Sequence, residues 1–196
     1  MYSNPSLLVF AGPNGSGKST VQSGIPIVGS YVNADEIQRH LNCDTLQAAQ
    51  IAERTREYFL KRRMDFTFET VLSTRRNLDL IRRAKEAGYD VTCIFVLTAG
   101  PDINIQRVAQ RVSKGGHPVP EEKIRSRYDR SLRLLPELFL YCDRVYVFDN
   151  SKDRQEGQAA LILEYAEGEL RMHPCDVWPM SKLKELTERG TCADEK

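Results

Sequence analysis

Eight residues near the start of the chain, Gly12 to Ser19 in "GPNGSGKS", place glycine, lysine and serine at the spacing GxxxxGK[ST]. This is the P-loop pattern, and binding phosphate dictates its residue types. Glycines let successive backbone N–H groups turn inward around phosphate oxygens. A lysine reaches the outer phosphates, and a hydroxyl takes one position on Mg2+. The expected cradle for a nucleoside triphosphate, ATP or GTP, is Gly12, Pro13, Asn14, Gly15, Ser16 and Gly17, followed by Lys18, Ser19 and Thr20, with Ser19 on the metal. The competing reading is a strand-to-helix turn that matches by chance. The apolar run "SLLVFAG" before the loop and the helix opening at Lys18 favour the cradle, because a helix N-terminus already attracts anions.

Three further clusters fall at strand ends, where ligands of open α/β sheets gather. In "YVNADEIQRHL", Asp35 is placed to take the proton from an acceptor hydroxyl as it attacks a γ-phosphate. Asp35 with Gln38 also forms a capping-box-like pair, and spacing alone does not separate base from N-cap. In "FTFETVLSTRRN", Glu69 and Thr70 close a strand, and Ser73, Thr74, Arg75 and Arg76 follow. Such a group suits an acceptor with hydroxyls and a phosphate, and an unpaired buried carboxylate would be costly. The plainer alternative is a helix start with Thr74 as N-cap and two solvated arginines. In "INIQRVAQRVSKGGHPVPEEKIRSRYDRS", Arg107 and Arg111 lie four apart on one helix, Gly115 and Gly116 end it, and Arg125, Arg127 and Arg130 ride on the next. A glycine-hinged helix pair of this kind is what a lid over triphosphate needs, and a solvated basic hairpin is the competing reading.

The elements that must position these clusters alternate between strand and helix. "SLLVFAG", "VTCIFVLTA" and "DRVYVFDN" are short, nearly continuous apolar runs, as in strands buried on both faces, and "SYVNAD" and "DFTFET" are shorter strands. "LQAAQIAERTREYFLKRR" and "NLDLIRRAKEAG" carry helical spacing, the latter closing on Gly88. The expectation is an α/β fold with a parallel five-stranded sheet flanked by helices. Residues 1–196 read as one domain, with a core over 1–150, a helical lid over about 102–135, and an extension over 151–196 packed on the core. In that extension "LILEYAEGELRMH" reads as a hairpin turning at Glu167-Gly168 and "SKLKELTERG" as a terminal helix.

Composition narrows the partners. The chain has 196 residues, with 28 Lys plus Arg against 27 Asp plus Glu. No large basic field exists to hold a nucleic-acid backbone, so nucleic acid is not expected. The five cysteines (Cys43, Cys93, Cys142, Cys175 and Cys192) are odd in number and widely spaced, as expected for a reducing cytoplasm. The N-terminus lacks the features of a signal peptide, and the other apolar runs are too short for a membrane span.

Taken together, "GPNGSGKST", "NADEI", "FETVLS" and "RVAQRVSKGGHPVPEEKIRSRYDRS" resemble the zeta toxin-like P-loop kinases, in the same order and over roughly residues 7–135. The resemblance implies a nucleoside-monophosphate-kinase-like core and transfer from ATP or GTP, with Mg2+, to an alcohol group. In the family's best-known branch the acceptor is the sugar of UDP-N-acetylglucosamine. It makes Lys18 and Ser19 phosphate and Mg2+ ligands, Asp35 the base, Glu69 an acceptor-site residue, and Arg111 and Arg127 the transition-state arginines, with Arg107 competing with Arg111. It also leaves an antitoxin protein open as a partner. The short acceptor region after Glu69 and the unmatched tail after Lys152 depart from the longer toxins. The acceptor therefore stays open among nucleotide sugars, other hydroxylated metabolites and antibiotics, and an NTP-binding switch or weak NTPase stays open as another class.

Overall fold

The computed structural model describes residues 4–152 and 158–188. Cys192 and the outermost parts of the expected extension lie outside the described residues.

The elements run β1 (Ser6–Ala11), α1 (Lys18–Gln22), β2 (Ser30–Val32), α2 (Ala34–Leu41), α3 (Thr45–Arg62), β3 (Phe66–Thr70), α4 (Arg75–Glu86), β4 (Asp90–Leu97), α5 (Pro101–Ser113), α6 (Glu121–Tyr141), β5 (Arg144–Asp149), β6 (Ala160–Ala166), β7 (Glu169–Met172) and α7 (Met180–Thr187). The strand order is β2-β3-β1-β4-β5-β6-β7. The pairings among β2, β3, β1, β4 and β5 are all parallel. β1 lies between β3 and β4, which is why its sequence reads as an unbroken apolar run.

The expected five-stranded parallel sheet is corrected at one edge. β6 and β7 pair antiparallel with β5 and with each other, so the sheet is mixed and has seven strands. The hairpin itself stands where the sequence places it, with Glu167 and Gly168 both at positive φ, as a two-residue turn matched to strand twist requires. Instead of packing as a separate layer, it satisfies the open edge of β5.

One face of the sheet carries Leu7, Val9, Phe66, Phe68, Val91 and Val145, packed with buried residues of α3, α4, α6 and α7 such as Ala52, Ile81, Leu135 and Leu183. The other face carries Leu8, Phe10, Ile94 and Val96 against Val21, Ile25 and Val28 around the short α1. Ala11 pairs with Thr70 on one side and Phe95 on the other, so the loop after β1 leaves the sheet level with the carboxyl ends of β3 and β4. This level surface is where the candidate chemistry gathers.

Candidate active site

The loop from Gly12 to Gly17 is folded tightly over the ends of β1 and β4. A Cβ on Gly12, at φ 138°, would stand 2.0 Å from the Val96 carbonyl oxygen. On Gly17, at φ 88°, it would stand 2.0 Å from Asn150 Nδ2. These positions admit no side chain, and Gly17 is the N-cap of α1, so its N–H groups open towards the loop.

Lys18 is buried beneath the loop. Its Nζ donates to the carbonyls of Gly12 (2.9 Å) and Pro13 (3.2 Å) and lies 3.5 Å from Glu69 Oε1. Burial pushes the ammonium below the ordinary lysine range, and the Glu69 carboxylate opposes that shift. Arg111 lowers it and Asp35 raises it, which puts both side chains within electrostatic reach of Lys18. The Ser16 hydroxyl is buried in the loop with no hydrogen-bond partner, while Ser19 is exposed. An orphaned hydroxyl, uncapped helix N–H groups and a buried lysine fit a polyphosphate, whose oxygens would satisfy all three. The Ser19 hydroxyl is free of burial on the same turn and fits one position on Mg2+. Among the described residues no group of three or more Asp, Glu, His or Cys side chains is placed to hold a metal ion.

Glu69 does more than face Lys18. Its Oε2 accepts from Tyr31 Oη (3.2 Å) and Asn33 Nδ2 (3.1 Å), and Asn33 Nδ2 also donates to Tyr31 Oη (2.9 Å). Tyr31 in turn reaches Gln22 Oε1 at 3.1 Å. Burial, first of all, lifts the Tyr31 phenol to about 12, so it stays protonated and able to donate. The ends of β2 and β3 are thus wired to the P-loop lysine. Sequence reasoning missed Tyr31 and Asn33, although "YVNAD" carries the signal of polar residues alternating at a strand end.

Asn33, rather than Asp35, caps α2. The N-cap of α2 is Asn33, whose Oδ1 accepts from the backbone N–H groups of Asp35 (2.8 Å) and Glu36 (3.4 Å). The capping-box role for Asp35 and Gln38 is corrected accordingly. The capping box in this stretch belongs to Asp44 and Gln47 at the start of α3. Asp35 sits in the first turn with an exposed side chain.

The α5–α6 pair is anchored where it leaves the loop. Buried Asn104 donates to the Asn14 carbonyl (2.7 Å), and its own backbone carbonyl lies against Gly15. Arg127 Nη1 donates to Asn14 Oδ1 (3.1 Å). Arg107 donates to the carbonyls of Asn150 (2.6 Å) and Lys152 (2.9 Å), and Asn150 Nδ2 donates to the Ser16 carbonyl (2.8 Å). Arg111 is exposed and donates to the His117 carbonyl (3.2 Å) across the turn at Gly115-Gly116. Asn104 and Asn150 were not anticipated. The one signal for Asn104 was its place in the apolar stripe with Val108.

The cluster after Glu69 divides. Thr70 is buried, and its Oγ1 accepts from Leu72 N–H (2.9 Å) and Asn77 Nδ2 (2.7 Å), holding a turn in which Leu72 has φ 51°. Arg75 makes a two-bond pair with Glu137 (2.8 and 2.9 Å) on α6. Thr74 occupies the N-cap position of α4, yet its side chain makes no capping bond. Ser73 is half-buried beside it.

Known proteins share parts of this chain's sequence and its fold. An uncharacterized protein of Haemophilus influenzae is 28% identical over 127 residues, covering 62% of this chain and 91% of that protein. The fold resembles a chain of the AvrRxo1-ORF1:-ORF2 complex solved with ATP, with TM-score 0.70 at 14% identity over 98% of this chain and 66% of that one. It also resembles a structure of the PezAT chromosomal toxin-antitoxin system of Streptococcus pneumoniae, with TM-score 0.54 at 17% identity over 80% and 75% of the two chains. The chain thus spans just under two thirds of the matched chain of the AvrRxo1-ORF1:-ORF2 complex. No described helix is long and apolar enough to cross a membrane. The Zeta toxin family model matches residues 31–158, from Tyr31 and Asn33 through the arginines of α5 and α6 to the far side of Asn150, and this chain belongs to that family.

Proposed function

We propose that the protein is a kinase that transfers the γ-phosphoryl of ATP to a hydroxyl of a small molecule. The observation that carries this reading is the buried Lys18, held among P-loop carbonyls and Glu69 with Asp35 and Arg111 in electrostatic reach. An NTP switch needs the cradle but no carboxylate opposite it. Here Lys18 exchanges the Gly12 and Pro13 carbonyls for phosphate oxygens, and Ser16 and the α1 N-terminus take others. Ser19 would hold Mg2+, which supplies charge neutralisation on the phosphates. Asp35, exposed and free of the capping role, accepts the proton of the attacking hydroxyl. Glu69, fixed by Tyr31 and Asn33, and Ser73 bound the acceptor side. Thr70 supports that wall through its turn, and Arg75 through Glu137. Arg127 and Arg111 answer the charge that develops on the transferred group, and Arg107 sets the 150–152 segment beside the cradle. The acceptor class that suits the wall is a nucleotide sugar such as UDP-N-acetylglucosamine. Solved relatives that assemble with partner proteins support an antitoxin as a partner.

The test is incubation with γ-labelled ATP and Mg2+ against a panel of nucleotide sugars and other hydroxylated metabolites, with Lys18→Ala as control. A labelled acceptor formed by the native protein and absent with Lys18→Ala is the expected result. Labelled inorganic phosphate as the sole product across the panel would favour the NTPase reading.

A further inference from the structure

A phosphate cradle works through backbone N–H groups, so the side chain of Asn14, third residue of the loop, is not needed for holding phosphate. It is used for something else. Its Oδ1 accepts from Arg127 Nη1 at 3.1 Å, a contact between residues 113 positions apart in the chain. Arginine offers donors only, so the amide has to turn its oxygen towards α6. Among the described residues Arg127 makes no other hydrogen bond and no ion pair, which leaves the Nε and Nη2 donors of a half-buried guanidinium uncommitted. The neighbouring arginines are held differently. Arg107 is spent on the carbonyls of residues 150–152, Arg111 on the His117 carbonyl, Arg125 on Asp102 and Glu121, and Arg130 on the Ser126 carbonyl of its own helix.

Both ends of the Asn14–Arg127 bond are fixed to the same point, Thr98 at the end of β4. On the loop side, the fully buried Asn104 donates to the Asn14 carbonyl (2.7 Å) and accepts from the Thr98 hydroxyl. On the helix side, the buried Tyr128 beside Arg127 donates through Oη to the Thr98 carbonyl (2.6 Å), and Ser131, one turn further, donates to the Val71 carbonyl (2.8 Å). The bond also lies at the right end of the cradle. Lys18 Nζ, the group that serves the outer phosphates, rests on the carbonyls of Gly12 and Pro13, which immediately precede Asn14.

We propose that the Asn14 side chain is a positioning residue for phosphoryl transfer: it holds one Nη of Arg127 so that the remaining donors of the fork face the transferred group. This rests on the kinase reading. A free arginine side chain has many rotamers, and a charge contributes fully to a transition state only when its direction is set beforehand. Asn14 therefore acts through Arg127 on the transition state and contributes little to holding the nucleotide in its ground state.

The experiment titrates ADP and Mg2+ into the full chain by calorimetry, with and without aluminium fluoride, which supplies a charged mimic of the phosphoryl group in transfer. The ratio of the two affinities reads transition-state recognition and requires no acceptor. Native protein should bind ADP more tightly with the mimic, and Arg127→Ala should lose most of that gain. Asn14→Ala keeps the backbone carbonyl that Asn104 holds; it should cut the gain by on the order of tenfold and leave affinity for ADP alone nearly unchanged. Because the asparagine acts through the arginine, the double variant should be no worse than Arg127→Ala. Asn14→Ser, too short to reach α6, repeats the test if the alanine variant folds poorly. Equal losses with and without the mimic would reduce Asn14 to a structural part of the cradle and overturn the proposal, as would losses that add in the double variant. A gain fully retained in Asn14→Ala overturns the positioning role and leaves the kinase reading standing, whereas a native protein that shows no gain with the mimic counts against both.

Discussion

Replacing Asn33 and replacing Asp35, two positions apart, should do opposite things. Asn33→Ala removes the cap of α2, worth about 1 kcal/mol, and the amide that donates to Glu69 and Tyr31. A hydrogen bond to a carboxylate contributes about 1.5–3 kcal/mol and one to a hydroxyl about 1. Because the cluster is only part-buried, the sum is discounted to roughly 2–4 kcal/mol, or on the order of 5–15 °C in melting temperature for a chain of this size. Asp35 bonds to the cap only through its backbone, so Asp35→Asn and Asp35→Ala lose merely a charge near the helix N-terminus, about 0.3–1 kcal/mol. If Asp35 is the base, both should nonetheless lower transfer by something like 10²- to 10⁴-fold while ATP still binds. Thermal unfolding, nucleotide titration and labelled transfer on the acceptor found by the panel measure all three quantities. Two outcomes would refute the reasoning: Asp35→Ala melting as low as Asn33→Ala, or near-normal turnover in Asp35→Asn.

Glu69→Gln keeps the acceptor for Tyr31 and Asn33 but removes the charge that opposes burial at Lys18. The lysine must be protonated to bind phosphate and already lies below its usual range. Nucleotide affinity should therefore fail at a lower pH in the variant than in native protein, and coincident high-pH limbs in calorimetric titrations would count against the pairing. Arg127→Ala and Arg111→Ala should lower kcat by on the order of 10³-fold with small changes in ATP affinity, and equal mild losses for Arg125→Ala and Arg130→Ala would mark a solvated face instead. Gly17→Ala should abolish nucleotide binding and lower the melting temperature, since its Cβ would meet Asn150 Nδ2 at 2.0 Å. Unchanged binding in that variant would show that the loop relaxes.

Whatever depends on contiguous residues was determined by the sequence alone. The cradle from Gly12 to Ser19 is one loop whose glycines, lysine and hydroxyl act within eight positions, so its chemistry is written locally. The alternation of buried strands and helices is likewise a matter of local periodicity, as are the hairpin turn at Glu167-Gly168 and the glycine ending at Gly88, with φ 78°. Partner choice is different, because a polar group cannot be assigned until packing brings another within about 3 Å. Lys18 and Glu69 meet because β3 is hydrogen-bonded beside β1. Asn33, and not Asp35, caps α2 because β2 ends at Val32, a boundary one or two residues finer than propensity resolves. The hairpin joined the sheet because β5 offered an open edge. Arg127 reads as one more helical arginine until the packing of α6 beside the loop brings its guanidinium to Asn14 Oδ1, 113 positions away in the chain.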